Sequence, residues 1–120
     1  MILENEFIIP EVRTKSSVAK QKIRLQYRNL IRSVSKNFRP IPNRQYLVSF
    51  RISCSFKRPI LPDAENVTKE IVDTLFPDDS VKVIKGIQTE ARVVDFETTE
   101  ERTEVYIYRV CPLISAIGSL

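Results

Sequence analysis

The most regular pattern in the chain runs from Tyr46 to Phe56, where Tyr46, Val48, Phe50, Ile52, Cys54 and Phe56 alternate with Leu47, Ser49, Arg51, Ser53 and Ser55. A period of two with one wholly apolar face predicts a sheet strand covered on one side. Upstream, Ala19, Ile23, Tyr27, Leu30 and Val34 recur at the three- and four-residue spacings of an amphipathic helix, which is expected to be that cover. Thr14, Ser16 and Ser17 are its candidate N-caps, and Pro40 and Pro42 prevent its continuation. "EFIIP" predicts a short first strand closed by Pro10. Val67, Ile71, Val72 and Leu75 predict a second, shorter helix that ends at Pro77. "VKVIKGIQTEARVV" and "RTEVYIYRV" predict two further strands, joined through an acidic turn, "DFETTEE", as an antiparallel hairpin. The element order is β-α-β-α-β-β: an α+β fold with a mixed sheet packed by two helices on one face.

At 120 residues, the chain is expected to form a single domain over residues 1–120. No apolar run approaches the roughly 20 residues of a membrane span. "MILENEFIIP" carries acids where a signal peptide has basic residues, so a cytoplasmic protein with no membrane partner is expected. The chain has no His, and its two cysteines, Cys54 and Cys111, lie outside any CxxC pattern. Structural zinc and Cys/His or Ser/His nucleophiles are thereby excluded, and both thiols are expected to fill core space in the reduced form. The tail from Cys111 to Leu120 is apolar and uncharged, which suits either a core cover or a contact with a partner chain.

Charge is divided unevenly. Residues 1–60 hold 13 Lys/Arg and 3 Asp/Glu, whereas residues 61–120 hold 6 and 12, so halves of +10 and −6 make up the net charge of +4. Lys20, Arg24, Arg28, Arg32 and Lys36 step by four along the first helix and form a basic stripe, with no acidic residue between Val12 and Leu61 to pair with it. Such a stripe serves either as a solvated outer face or as the lining of a groove for a polyanion's phosphates.

The negative charge concentrates between Asp63 and Asp79, which span six acidic residues and one base, Lys69. On a helix, Glu65, Lys69 and Asp73 fall at successive i+4 positions, with Asn66 beside them and Val67, Ile71 and Leu75 opposite. Caps and salt bridges account for part of this: Asp63 as N-cap, Glu65 at the positive end of the helix dipole, and Lys69 between two carboxylates. They leave out Asp78 and Asp79, crowded where the helix gives way to the next strand. Asp63, Glu65 and Asp79 together suit a hard divalent cation such as Mg²⁺, with Mn²⁺ a possible substitute.

The series "RP…PDAEN…K…D.L…DDS.V", from Arg58 to Val81, resembles the signature of the RusA-type Holliday junction resolvases. In that family a basic-Pro lead-in is followed by an acidic-x-acidic-Asn element, a Lys three residues on, an Asp and a paired Asp. The resemblance implies a RusA-like homodimer that binds branched DNA, such as a four-way junction, and hydrolyses phosphodiester bonds with Mg²⁺ in recombination and repair. No organic small-molecule cofactor is implied. It further implies metal-binding, catalytic carboxylates at Asp63, Glu65 and Asp79, a catalytic Lys69, and supporting roles for Asn66, Asp73 and Asp78. Phosphate contacts are expected from Lys20, Arg24, Arg28, Arg32, Lys57 and Arg58. Two features depart from the family pattern: Glu65 stands where Asp is usual, and "FP" between Leu75 and Asp78 is shorter than the usual connection. The alternative is a non-catalytic dimeric module of the same fold that binds structured DNA or RNA.

Overall fold

The computed structural model describes residues 1–77, 82–83 and 90–110. Its elements are β1 (Ile2–Ile9), α1 (Gln21–Val34), β2 (Gln45–Ser55), α2 (Ala64–Leu75), β3 (Lys82–Val83), β4 (Glu90–Thr98) and β5 (Arg102–Val110). The α+β class and the mixed sheet agree with the sequence reading. Cys111 and the tail to Leu120 lie outside the described residues.

β2 is the centre of the sheet. β5 pairs with it antiparallel, setting Val48 opposite Ile107 and Phe50 opposite Val105, and β1 pairs antiparallel with the far side of β5. On the other side of β2, β3 and β4 follow one another along the same edge, both parallel to it. The sequence predicted one strand over residues 81–94 and an antiparallel hairpin between it and the last strand. Instead, β4 runs on through "DFET" to Thr98, and β2 lies between β4 and β5. Hairpin logic assumes that consecutive strands are neighbours. Here the three-residue link Thr99–Glu101 crosses the end of β2, where Phe56 N–H donates to the Thr98 carbonyl (3.2 Å) and Ser55 N–H to the Glu101 carboxylate (3.2 Å). Two strand spacings of about 4.8 Å are within reach of such a link.

The alternating face of β2 is buried as predicted: Tyr46, Val48, Phe50, Ile52 and Cys54 are at most 1% exposed. Phe56, the last member of the pattern, lies beyond the strand and is 63% exposed. Tyr27 and Ile31 of α1 and Val67, Ile71 and Leu75 of α2 pack in the same core, so both helices cover one face of the sheet. At the end of this core, Phe38, Tyr46 and Phe76 meet with ring centroids 5.6–6.0 Å apart, and the Tyr46 hydroxyl accepts the Ile41 N–H (2.8 Å).

α1 starts later than its candidate caps. Lys20 holds the N-cap position with no side-chain hydrogen bond. Thr14 and Ser17 instead close the preceding turn on themselves: Ser17 Oγ donates to the Thr14 carbonyl (2.9 Å) and accepts the Thr14 N–H (2.8 Å). Ala19 therefore lies outside the helix and is exposed, and Val18 is the buried residue of this segment. Ser and Thr hydroxyls stabilise such turns as readily as helix starts, so sequence alone does not separate the two.

Tyr27 is 2% exposed and its hydroxyl has no hydrogen-bond partner among the described residues. Burial, reinforced by Glu11 and Glu70, pushes its phenol well above the ordinary range, so it stays protonated throughout the working pH range. An unpaired buried hydroxyl costs about 1–3 kcal/mol. Tyr27→Phe, which deletes only that oxygen, is expected to leave the melting temperature unchanged or raise it. Ile71→Ala in the same layer is expected to cost about 2–5 kcal/mol in denaturant titrations.

Candidate functional site

Three loops gather at the end of the sheet where β2 finishes: residues 10–20 after β1, residues 56–63 after β2, and Thr99–Glu101 before β5. Arg58 ties them together. Its guanidinium grips the Glu101 carboxylate with both Nε and Nη2 (Nη2 to Oε1 2.9 Å), and Nη2 also donates to the Val12 carbonyl (3.0 Å). The bidentate bond holds the Glu101 carboxyl below its usual range and raises the Arg58 guanidinium further. A cleft of about 350 Å³ opens here, lined by Glu11, Arg13, Thr14, Ser17, Arg58 and Glu101. The loop after β1 that lines it is also tied to α2, because Lys15 N–H donates to the Asn66 carbonyl (2.9 Å).

α2 begins where the loop after β2 ends. Asp63 is its N-cap: Oδ1 accepts the Glu65 N–H (2.8 Å), satisfying one of the orphan donors of the first turn. Glu65 follows in that turn, where its charge suits the dipole. Asp63, Glu65, Asn66, Lys69 and Asp73 are all exposed, while Val67, Thr68, Ile71, Thr74 and Leu75 are buried, so the polar comb and the core face separate as the spacing predicted. Lys69 Nζ lies 3.8 Å from Asp73 Oδ2, an exposed i,i+4 pair worth no more than about 0.5 kcal/mol. Asp78 and Asp79 lie outside the described residues, so the set Asp63, Glu65 and Asp79 is described only in its first two members. Among the described residues, no three acidic or sulfur-bearing side chains form a group able to hold a metal ion. The donors that are described suit a hard cation: two exposed carboxylates within three positions, with Asp63 Oδ2 outside the cap bond.

The basic stripe is divided by the fold. Arg28 Nε bonds Glu70 of α2, and Arg24 Nε stands 3.9 Å from the same carboxylate while donating to the Val18 carbonyl (3.3 Å). Glu70, with 14% of its side chain exposed, is thus the counter-charge missing from residues 13–60, supplied by the neighbouring helix. Lys20, Arg32 and Lys57 are exposed and have no acidic partner among the described residues. Arg58, expected as a phosphate contact, is bound to Glu101. Sequence reasoning missed the pairing of Arg58 with Glu101 and of Arg28 with Glu70, which span 43 and 42 residues and leave no local signal.

No family model matches the chain, and no curated protein matches it. No helix among the described residues is long and apolar enough to cross a membrane.

Arg58 and Glu101 set a pH dependence. Because the Glu101 carboxyl is depressed on folding, its stabilisation is complete above the ordinary carboxylate range and is lost as pH falls through its lowered value. Glu101→Gln is expected to lose about 1–3 kcal/mol at neutral pH and to show a shallower decline in acid than the parent, read from urea midpoints between pH 7 and 3.

Proposed function

We propose that the chain is a magnesium-dependent endodeoxyribonuclease of the RusA type, a homodimer that resolves four-way junctions or other branched DNA. The observation that carries the reading is the start of α2: Asp63 and Glu65 stand exposed within one turn of each other, one turn before the exposed Lys69. They are the first positions of the motif that resembles the RusA signature. Asp79, Asp78 and Asp73 complete the expected constellation in this reading.

Asp63 and Glu65 would hold the ion, with Asp79 as the third carboxylate. When bound, magnesium supplies charge neutralisation at the scissile phosphate and a hydroxide nucleophile near neutral pH, which suits a chain without His. The residues of the chain do the rest. Lys69 places its ammonium beside the charge that develops on the phosphoryl oxygens. Asn66 and its link to Lys15 position the α2 start against the loop after β1. Lys20, Arg32 and Lys57, whose charges are uncommitted, hold the strand by its phosphates, so binding weakens steeply with salt. A two-fold dimer would present two such sites to the two-fold symmetry of a junction.

A second reading has specific support. Asp63 already serves as a cap, Lys69 has Asp73, and Arg28 and Arg58 are held by Glu70 and Glu101. Those pairings are what a non-catalytic module for structured DNA or RNA would need.

Asp63→Asn separates the two readings, because Asn caps a helix as well as Asp and the fold is preserved. The variant is expected to bind a synthetic four-way junction as tightly as the parent or more tightly. Its Mg²⁺-dependent nicking should fall by at least about 100-fold. Cleavage at the parental rate would remove Asp63 from the site. A parent that binds the junction, does not nick it, and gains no thermal stability from Mg²⁺ or Mn²⁺ would establish the second reading.

A further inference from the structure

Both helices pack on one face of the sheet, and neither packs on the other, where Leu3, Ile8 and Arg51 are exposed and Ser53 is fully buried. The register lays out that second face in rows. Leu3, Tyr108 and Leu47 form one row, Glu6, Tyr106 and Ser49 the next, Ile8, Glu104 and Arg51 the third, and Arg102 and Ser53 the fourth, with Asp95 beyond Ser53 on β4. Ile8, 53% exposed, sits in the third row. Leu3 is 44% exposed and Leu47, Tyr106 and Tyr108 are half-buried, so one end of the face is mainly aliphatic and aromatic. The other is a charged lattice, in which Arg51 lies 3.8 Å from Asp95 and 3.7 Å from Glu104, and Arg102 lies 3.9 Å from Glu104.

The geometry points to a second copy of this chain as the occupant, docked sheet on sheet about a two-fold axis that runs parallel to the strands between β2 and β5. Such an axis sets β2 of one protomer over β5 of its partner, row on row. Leu47 then lies over Tyr108 of the partner subunit, and Arg51 over Glu104 of the partner subunit, with both contacts repeated by symmetry. The face is complementary to itself in apolar character and in charge, as an isologous interface requires. A polyanion is a poor occupant, because Glu6, Asp95 and Glu104 outnumber Arg51 and Arg102 in a chain whose net charge is +4. The size is adequate. Four ranks about 4.8 Å apart and about nine residues long give a flat footprint of roughly 500 Å², and side-chain relief raises this toward the ~800 Å² per partner of a standard interface.

The inference rests on the homodimer named above and not on its chemistry. Sedimentation equilibrium of the full chain tests it, with the parent expected as a dimer at roughly 10 µM. Arg51→Glu sets like charges over each other across the axis, as does Glu104→Arg, and each variant is expected to dissociate about tenfold more readily or worse. Mixing the two single variants is decisive. In the mixed dimer Glu at 51 faces Arg at 104, and the unmutated Glu104 faces the unmutated Arg51, so dimers should reappear although neither monomer has been repaired internally. Leu47→Gln probes the apolar end without touching the charges and is expected to give a folded monomer.

A parent that stays monomeric at roughly 100 µM overturns the inference, and in that case the face is solvated or covered by the chain's own tail. Dimers that survive Leu47→Gln and both charge variants overturn it too, as does a mixture that remains monomeric. Junction nicking is read separately. A dimer that does not nick leaves this surface standing and removes the nuclease reading, and a monomer that nicks does the reverse.

Discussion

Everything in the fold is arranged around the need of β2 to satisfy both its edges while burying one face. Its backbone groups are paired on one side by β5 and on the other by β3 and β4, and the side chains from Tyr46 to Cys54 form the floor on which both helices rest. Each fully buried apolar side chain of this kind contributes about 1.5–3 kcal/mol. A strand of eleven residues with five such positions is the largest contributor available in a chain this short. The edges of the sheet are defended differently. β1 has an irregular register between Leu3 and Asn5, and Glu4 in that step is held by Arg44 (2.7 Å), which discourages pairing along the edge that no described strand occupies.

The central position of β2 also decides where the loops meet. Because β4 and β5 flank it rather than pair with each other, the link between them must cross its end, and that crossing brings Glu101 to Arg58. The same end holds the turn made by Thr14 and Ser17 and the start of α2. The cleft and the ion pair are thus products of one topological choice. Asp63 and Glu65 stand at the start of α2, on a regular element, a preorganised place for two hard oxygen donors.

The helix pair makes a similar trade. A basic stripe with no local counter-charge would repel itself, and α2 answers with Glu70. This fixes the two helices against one another and withdraws Arg24 and Arg28 from the pool of free cations. Among the described residues, Lys20, Arg32 and Lys57 are three of the exposed cations that no carboxylate takes up, and the proposed strand contacts fall to them. The opposite face of the sheet is neutralised by its own lattice around Arg51 and Glu104. Its two faces therefore differ in character: one side carries the helices and the spare positive charge, the other a self-paired, partly aromatic surface.

The sequence by itself determined the α+β class, the two helices and the burial of β2, because each is written in a short-range period that the backbone geometry enforces. It also determined that Val67, Ile71 and Leu75 face inward while Glu65, Lys69 and Asp73 face out, and that Asp63 stands where a helix cap belongs. Only the tertiary structure decided that β2 separates β4 from β5, that Thr14 and Ser17 close a turn instead of capping α1, and that Arg58 and Arg28 are claimed by Glu101 and Glu70. These depend on which strand lies beside which and on partners more than 40 residues away. A local pattern specifies which face of an element is buried, but not which distant element arrives to cover it or to take up its charge.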